Sequence, residues 1–461
     1  MRAARENGFP GRWAALAVWC LTRTALLLCV LKVLTVPGPD VTSDVSVIYH
    51  GWYDVLTSGT FPVGDVTWQY PPAAALPVLA PGALPFLSYP HAFFVLALLA
   101  DAVVYGLLAY ACRGGGRSAA GVWVWVCGVP LLGPTVLSRY DVMVTAVAVA
   151  ALLAGARRAR SLGVLAAFGA LLKVWPVFVL LGTPRGRPTR ASWTTAAVTA
   201  AVLLGGAWLW LPGSLDFLTA QRDRGTEVES LGALVFQFAR HHGWQGEVRL
   251  NYGSVEFLGP HVALVSDAAQ ALSVLALGWL VLWRLRARVR TPGTPADAAF
   301  VAVLLFTTTS RVISPQYMVW LLGLGAVCLT YRRGRMVAPV CLVLAATAVT
   351  LLEFPLGFGH VVAGDTLGVT LLVLRNGLLV AACGLAGWRL WRSTVGPRAE
   401  ERAAGVAGAA GARGRHARAA ALPGAQGPSA PSSGPSGPPA ASEPSARSGE
   451  GPDGVLGPPR A

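Results

Sequence analysis

The chain has 461 residues, 54% of them hydrophobic and only 13% charged, where a soluble domain carries about 25% charged residues. That deficit excludes an ordinary soluble domain and points to an all-α polytopic membrane protein. The formal net charge of +15 does not indicate nucleic-acid binding, because the basic residues stand in short clusters beside apolar spans, as positive-inside topology requires.

Taken in chain order, Arg2, Arg5 and Arg12 precede an apolar stretch over 13–36. It is longer than a signal-peptide core of roughly 7–15 residues and no A-x-A site follows, so it is expected to be an uncleaved first transmembrane helix after a short cytoplasmic N-terminus (1–12). Further spans are predicted over 91–111, 119–137, 142–156, 193–212, 262–283, 296–309, 316–331, 336–353 and 366–388. Arg clusters at 113/117, 157–160, 185–190, 284–290, 332–335 and 389/392 should be cytoplasmic. Loops 37–90, 213–261 and 354–365 then face outward. Residues 161–184 lie between two cytoplasmic clusters and are too few to cross twice as full helices. With Lys173 and Pro176 at their middle, they predict a re-entrant hairpin, whose irregular backbone must be buried in protein or line a wet cavity. The expected architecture is a bundle of about 10–12 transmembrane helices, with this hairpin and a first outer loop containing short helices. From 396 to 461 the chain is Gly/Ala/Pro/Ser-rich without apolar periodicity, and reads as a disordered cytoplasmic tail. The seven cysteines fall in or at the ends of apolar spans, with no disulfide or zinc spacing. No metal or cofactor is implied.

The most informative segment is the first outer loop. Asp44 follows the first span by a few residues, at the interface where a lipid-borne substrate presents its head group. Tyr49 and Trp52 follow on a predicted helix over 45–56, then a turn from Gly59 to Pro62, Asp65, and Tyr70-Pro71-Pro72. Two later motifs join this set: Lys173 to Pro176, and Ser314-Pro315-Gln316-Tyr317 with Trp320. Together, over roughly residues 10–390, they resemble the GT-C superfamily of polyprenyl-phosphate-sugar-dependent glycosyltransferases, and within it glycosyltransferase family 87, polyprenol-phosphate-mannose-dependent α-mannosyltransferases. The resemblance implies a plasma-membrane enzyme with an outward-facing site. It would move a hexose, mannose by the family's example, from a polyprenyl-phosphate sugar to a hydroxyl of a lipid-linked or envelope glycan acceptor. Membrane lipids are the only other partner implied. No second loop motif marks the acceptor, so its identity stays open.

Such a transfer needs a base for the acceptor hydroxyl and cations for the leaving phosphate. Asp44 is the candidate base, acting on the face opposite the leaving group with inversion; the plainer reading is a helix N-cap, and both can hold. Arg139, at the outer turn before the 142–156 span, is a phosphate ligand or a surface ion pair. Asp141 either orients Arg139 or binds sugar. Lys173 lies too deep to snorkel and so marks a cavity; it binds phosphate or is the structural partner of an intramembrane acid such as Asp101. Arg311 is the third phosphate candidate. Tyr49 and Trp52 stack on sugar or form an interfacial aromatic belt. Asp65 binds sugar or makes a turn, and Tyr70 braces the loop through its extended Tyr-Pro-Pro segment. Gln316 and Tyr317 hydrogen-bond sugar or cap a proline-started helix. His360 is a site residue or simply exposed. The rival classes are a transporter or lipid flippase, against which the lack of a repeated half and the long polar loop argue, and a non-catalytic envelope scaffold, against which the retained Asp44 argues.

Overall fold

The computed structural model describes residues 11–396 apart from 115, 220–223 and 333. The N-terminal ten residues and all but the first residue of the expected tail lie outside the described residues.

Helix α1 (Arg12–Val30) is followed by a loop in which a π-helical turn (Asp44–Tyr49) leads into α2 (His50–Thr57) and a short α3 (Ala75–Leu79). Next come α4 (Tyr89–Ala111), α5 (Ala120–Gly128), α6 (Asp141–Gly155), α7 (Ala159–Leu172) and α8 (Arg187–Trp210). The second outer loop holds β1 (Thr226–Glu227), α9 (Ala233–Arg240), β2 (Glu247–Asn251) and β3 (Ser254–Leu258). The bundle closes with α10 (Val262–Arg286), α11 (Thr294–Thr309), α12 (Tyr317–Leu329), α13 (Val337–Leu351), α14 (Phe358–Ala363) and α15 (Thr366–Thr394).

Six of these helical segments are long and apolar enough to cross a membrane; α6, α7, α11 and α12 belong to a shorter apolar class of 10–17 residues. The long helices α8 and α10 have only 11% of their most apolar windows buried, so their Val, Leu and Trp side chains need lipid to cover them. The short helices are the opposite case. α11 and α12 are buried almost throughout, and Trp125, Trp175, Trp283 and Trp320 fill the centre. The hairpin reading holds: α7 ends at Lys173, which is extended (φ −160°, ψ 133°), and a short 3-10 helix, Trp175–Leu180, runs back.

Two features depart from the expectations. Asp101 is not the partner of Lys173: its carboxylate takes Arg23 in a two-pronged pair at 3.0 Å and the Trp19 indole at 2.6 Å. A three-stranded antiparallel sheet, order β1-β3-β2, occupies the second outer loop, where no strand was anticipated. Its hairpin turns at Tyr252-Gly253, with φ of 48° and 74°. That is the pair of positive φ angles a tight two-residue hairpin needs.

Candidate active site

A cavity of ≈ 330 Å³ opens between the 37–90 and 213–261 loops and the helix ends, at the lower end of the range for small-molecule sites. Its lining comes from chain segments far apart in sequence: Asp44, Tyr49 and Trp52; Tyr70; Arg139; Lys173; Gln316 and Tyr317; and residues of the 224–255 loop. The helices show why it is recessed. α6 starts at Asp141, and at 1.5 Å per residue its 15 residues span about 22 Å, short of a hydrocarbon core about 30 Å thick. Its far end abuts Arg157 and Arg158, so the cavity lies at the end opposite the basic clusters and below the level a full span would reach.

Asp44 is the first residue of the π-helical turn, and the N-cap position is Ser43, whose side chain makes no capping hydrogen bond. The Asp44 Oδ2 meets Arg139 Nη2 at 2.9 Å. The Arg139 guanidinium is further held by the Val41 and Ser138 carbonyls, at 3.1 and 2.9 Å. The carboxylate side chain keeps 29% exposure while the arginine keeps 11%: the base candidate is reachable, and its cation is fixed behind it.

Lys173 pairs with Asp141 at 2.7 Å. The same Asp141 oxygen accepts the Trp320 indole N–H at 2.7 Å. Asp141 therefore orients Lys173 and not Arg139. Four rings surround the ammonium, those of Tyr70, Tyr140, Tyr317 and Trp320, with centroids 5.1–5.7 Å away. Cation–π attraction favours an ammonium centred in such a cage, and Tyr70 and Tyr317 thereby gain a role beyond the bracing and capping expected of them. Tyr49, Trp52 and Trp68 form a buried aromatic cluster under the cavity, with the half-buried Tyr70 packed against it; they are not a belt facing lipid. Asp65 stands behind it, accepting from the Trp52 indole at 2.8 Å and from Thr67. Burial acts to raise its pKa, but these hydrogen bonds outweigh it and hold the carboxyl below its usual range.

Arg311 and His360 do not join the lining. Arg311 is interleaved with the second outer loop: its Nη1 donates to the Arg224 carbonyl, and its own carbonyl accepts the Glu227 N–H, both at 3.1 Å. His360 is half exposed and bonds Asp365 at 2.6 Å.

The residues that sequence reasoning missed all come from that loop. Arg224 lines the cavity, with Glu256 at 2.6 Å, Gln69 at 3.0 Å and Ser254 as partners, and so ties the first loop to the hairpin. Glu227 accepts the Ile313 N–H at 2.6 Å and the Ser314 hydroxyl at 3.1 Å. Glu229 also lines the cavity and backs onto Glu353 and Arg375, which are fully buried and 2.7 Å apart. Burial, followed by the charges of Glu353 and Glu227, pushes the Glu229 pKa well up. The available signal was the alternation Glu227-Val228-Glu229, polar on a strand-like period; the partners it needed were not visible in sequence.

Residues 68–315, more than half of the chain, match the family model of Glycosyltransferase family 87. No curated protein matches the chain. The match begins at Trp68, so Arg139, Asp141, Lys173, Arg224 and Arg311 lie within it, and Asp44 lies before it.

Proposed function

Since the chain belongs to glycosyltransferase family 87, we propose that it transfers a hexose, mannose by the family's example, from a polyprenyl-phosphate sugar to a hydroxyl of a lipid-linked or envelope glycan acceptor. The transfer takes place on the outer face of the plasma membrane and inverts the anomeric centre. The observation that carries this reading is the arrangement of one reachable carboxylate, Asp44, and two buried cations, Arg139 and Lys173, on a single recess.

In this reading Asp44 removes the proton of the acceptor hydroxyl, whose oxygen attacks the anomeric carbon. The bond from that carbon to the phosphate oxygen breaks, and polyprenyl phosphate leaves with the electron pair. Arg139 and Lys173 meet the charge that grows on the phosphate, Arg139 through its planar fork and Lys173 as a point charge. Both are held by partners before substrate arrives, so little reorganisation is needed in the transition state. Arg311 acts from behind, fixing the backbone that carries Arg224. Tyr49, Trp52, Tyr70, Gln316 and Tyr317 shape the sugar end.

The test is transfer of label from radiolabelled polyprenyl-phosphate-mannose to a membrane extract by the purified protein, with Asp44→Asn as control. Label should reach a glycan or glycolipid only with the parent. Movement of labelled donor across vesicles without transfer would replace this reading with a flippase.

A further inference from the structure

A second groove, ≈ 440 Å³, lies far along the chain's helices from the site, between the start of α1 and the end of α4. Its walls are Leu16, Ala109 and the rings of Trp13 and Tyr105, with Gly106 at the floor. A side chain added at Gly106 would meet nothing within 4 Å, so the slot exists because this position has none. Its rim is the reverse of its walls. Arg12 and Arg113 line it, and Arg157, from the turn after α6, reaches the same Tyr110 ring that Arg113 covers. The guanidinium of Arg157 is 5.1 Å from that centroid and donates to the Tyr110 hydroxyl at 3.4 Å; Arg113 lies at 6.0 Å. Arg12 lies over Trp13 at 4.9 Å.

None of the three arginines forms an ion pair with a carboxylate among the described residues. Elsewhere in the bundle, Arg23, Arg139, Arg224 and Arg375 each have one. Three unneutralised guanidiniums around an apolar slot, on the helix ends that carry the basic clusters, call for a ligand that is anionic at one end and hydrocarbon at the other. Trp13 is 69% and Tyr110 53% exposed; such rings take the head-group level of a bilayer. We propose that this groove binds one anionic phospholipid of the cytoplasmic leaflet, its phosphate among Arg12, Arg113 and Arg157 and an acyl chain along Gly106. Basic pockets between transmembrane helices are suited to such head groups. The proposal does not depend on the reaction assigned to the outer cavity.

Native mass spectrometry of the full chain, titrated with phosphatidylglycerol and with phosphatidylcholine, tests it. The parent should retain phosphatidylglycerol in preference. Removing charge and filling the slot act on different halves of the ligand. Arg113→Ala combined with Arg157→Ala should lower phosphatidylglycerol retention by about 25-fold, near fivefold for each charge lost, and leave phosphatidylcholine unchanged. Gly106→Leu should lower retention of both lipids while leaving every charge in place. Equal retention of the two lipids by the parent overturns the proposal, as does undiminished retention in either variant. Thermal unfolding midpoints and elution profiles in detergent should match in all three proteins, which shows that the variants fold.

Discussion

Replacing Asp44 by Asn removes one charge while keeping the shape of the side chain, and the structure separates its effects. The Asp44–Arg139 pair is partly solvated at the carboxylate end, so its loss costs folding about 1 kcal/mol or less. Arg139 is not stranded, because the Val41 and Ser138 carbonyls still receive it. Thermal unfolding in detergent should therefore shift by only a few degrees. Donor binding should stay level or tighten, because Arg139 no longer shares its charge with a carboxylate 2.9 Å away and faces the donor phosphate alone. Turnover should fall by about 10²–10⁴, the usual worth of a positioned base. The assay pairs equilibrium binding of a polyprenyl-phosphate sugar with single-turnover transfer. Near-normal turnover would remove Asp44 from the chemistry. A loss of donor affinity as large as the loss of rate would make it a binding residue.

Three further experiments test the rest of the site. Arg139→Ala should weaken donor binding more than Arg311→Ala does, because Arg139 lines the cavity and Arg311 does not, and Arg139→Lys should fall between parent and alanine; equal losses at 139 and 311 would refute this order. Lys173→Met leaves Asp141 charged and 1% exposed, a fault worth about 3–5 kcal/mol; adding Asp141→Asn should recover thermal stability but not donor affinity, and recovery of both would make Lys173 purely structural. Glu229 has its carboxyl pKa raised in the fold above the ordinary 4.5 by burial and then by the Glu353 and Glu227 charges. The unfolded chain therefore loses this proton first as pH rises, and the stability held by protonated Glu229 is complete below about pH 4.5 and drains away above it. Glu229→Gln, always neutral, should flatten that decline above about pH 4.5 in thermal unfolding, and an unchanged slope would mean that Glu229 is not the group whose proton is lost.

The helices were legible because apolar runs and Arg clusters declare them. The outer sheet was not, because Thr226–Glu227 becomes a strand only by pairing with Phe257 and Glu256, some thirty residues on; Arg224, Glu227 and Glu229 became site residues with it. The intramembrane pairs form an instructive middle case, since reading Lys173 against Asp101 used the right kind of partner and the wrong depth. Depth can be counted from the nearest basic cluster at 1.5 Å per residue. Asp141 precedes Arg157 by 16 residues and Lys173 follows it by 16, so two antiparallel helices bring them level. Arg23 follows Arg12 by 11 and Asp101 precedes Arg113 by 12. Glu353 follows Arg335 by 18 and Arg375 precedes Arg392 by 17. An unpaired charge in hydrocarbon is costly enough that charges at equal depth on adjacent helices find one another. The Arg clusters, which set orientation, are thus also the origin from which buried partners can be counted. Counted across the turn at Arg157, Asp141 stands level with Lys173, and it is the acid at the foot of the cavity.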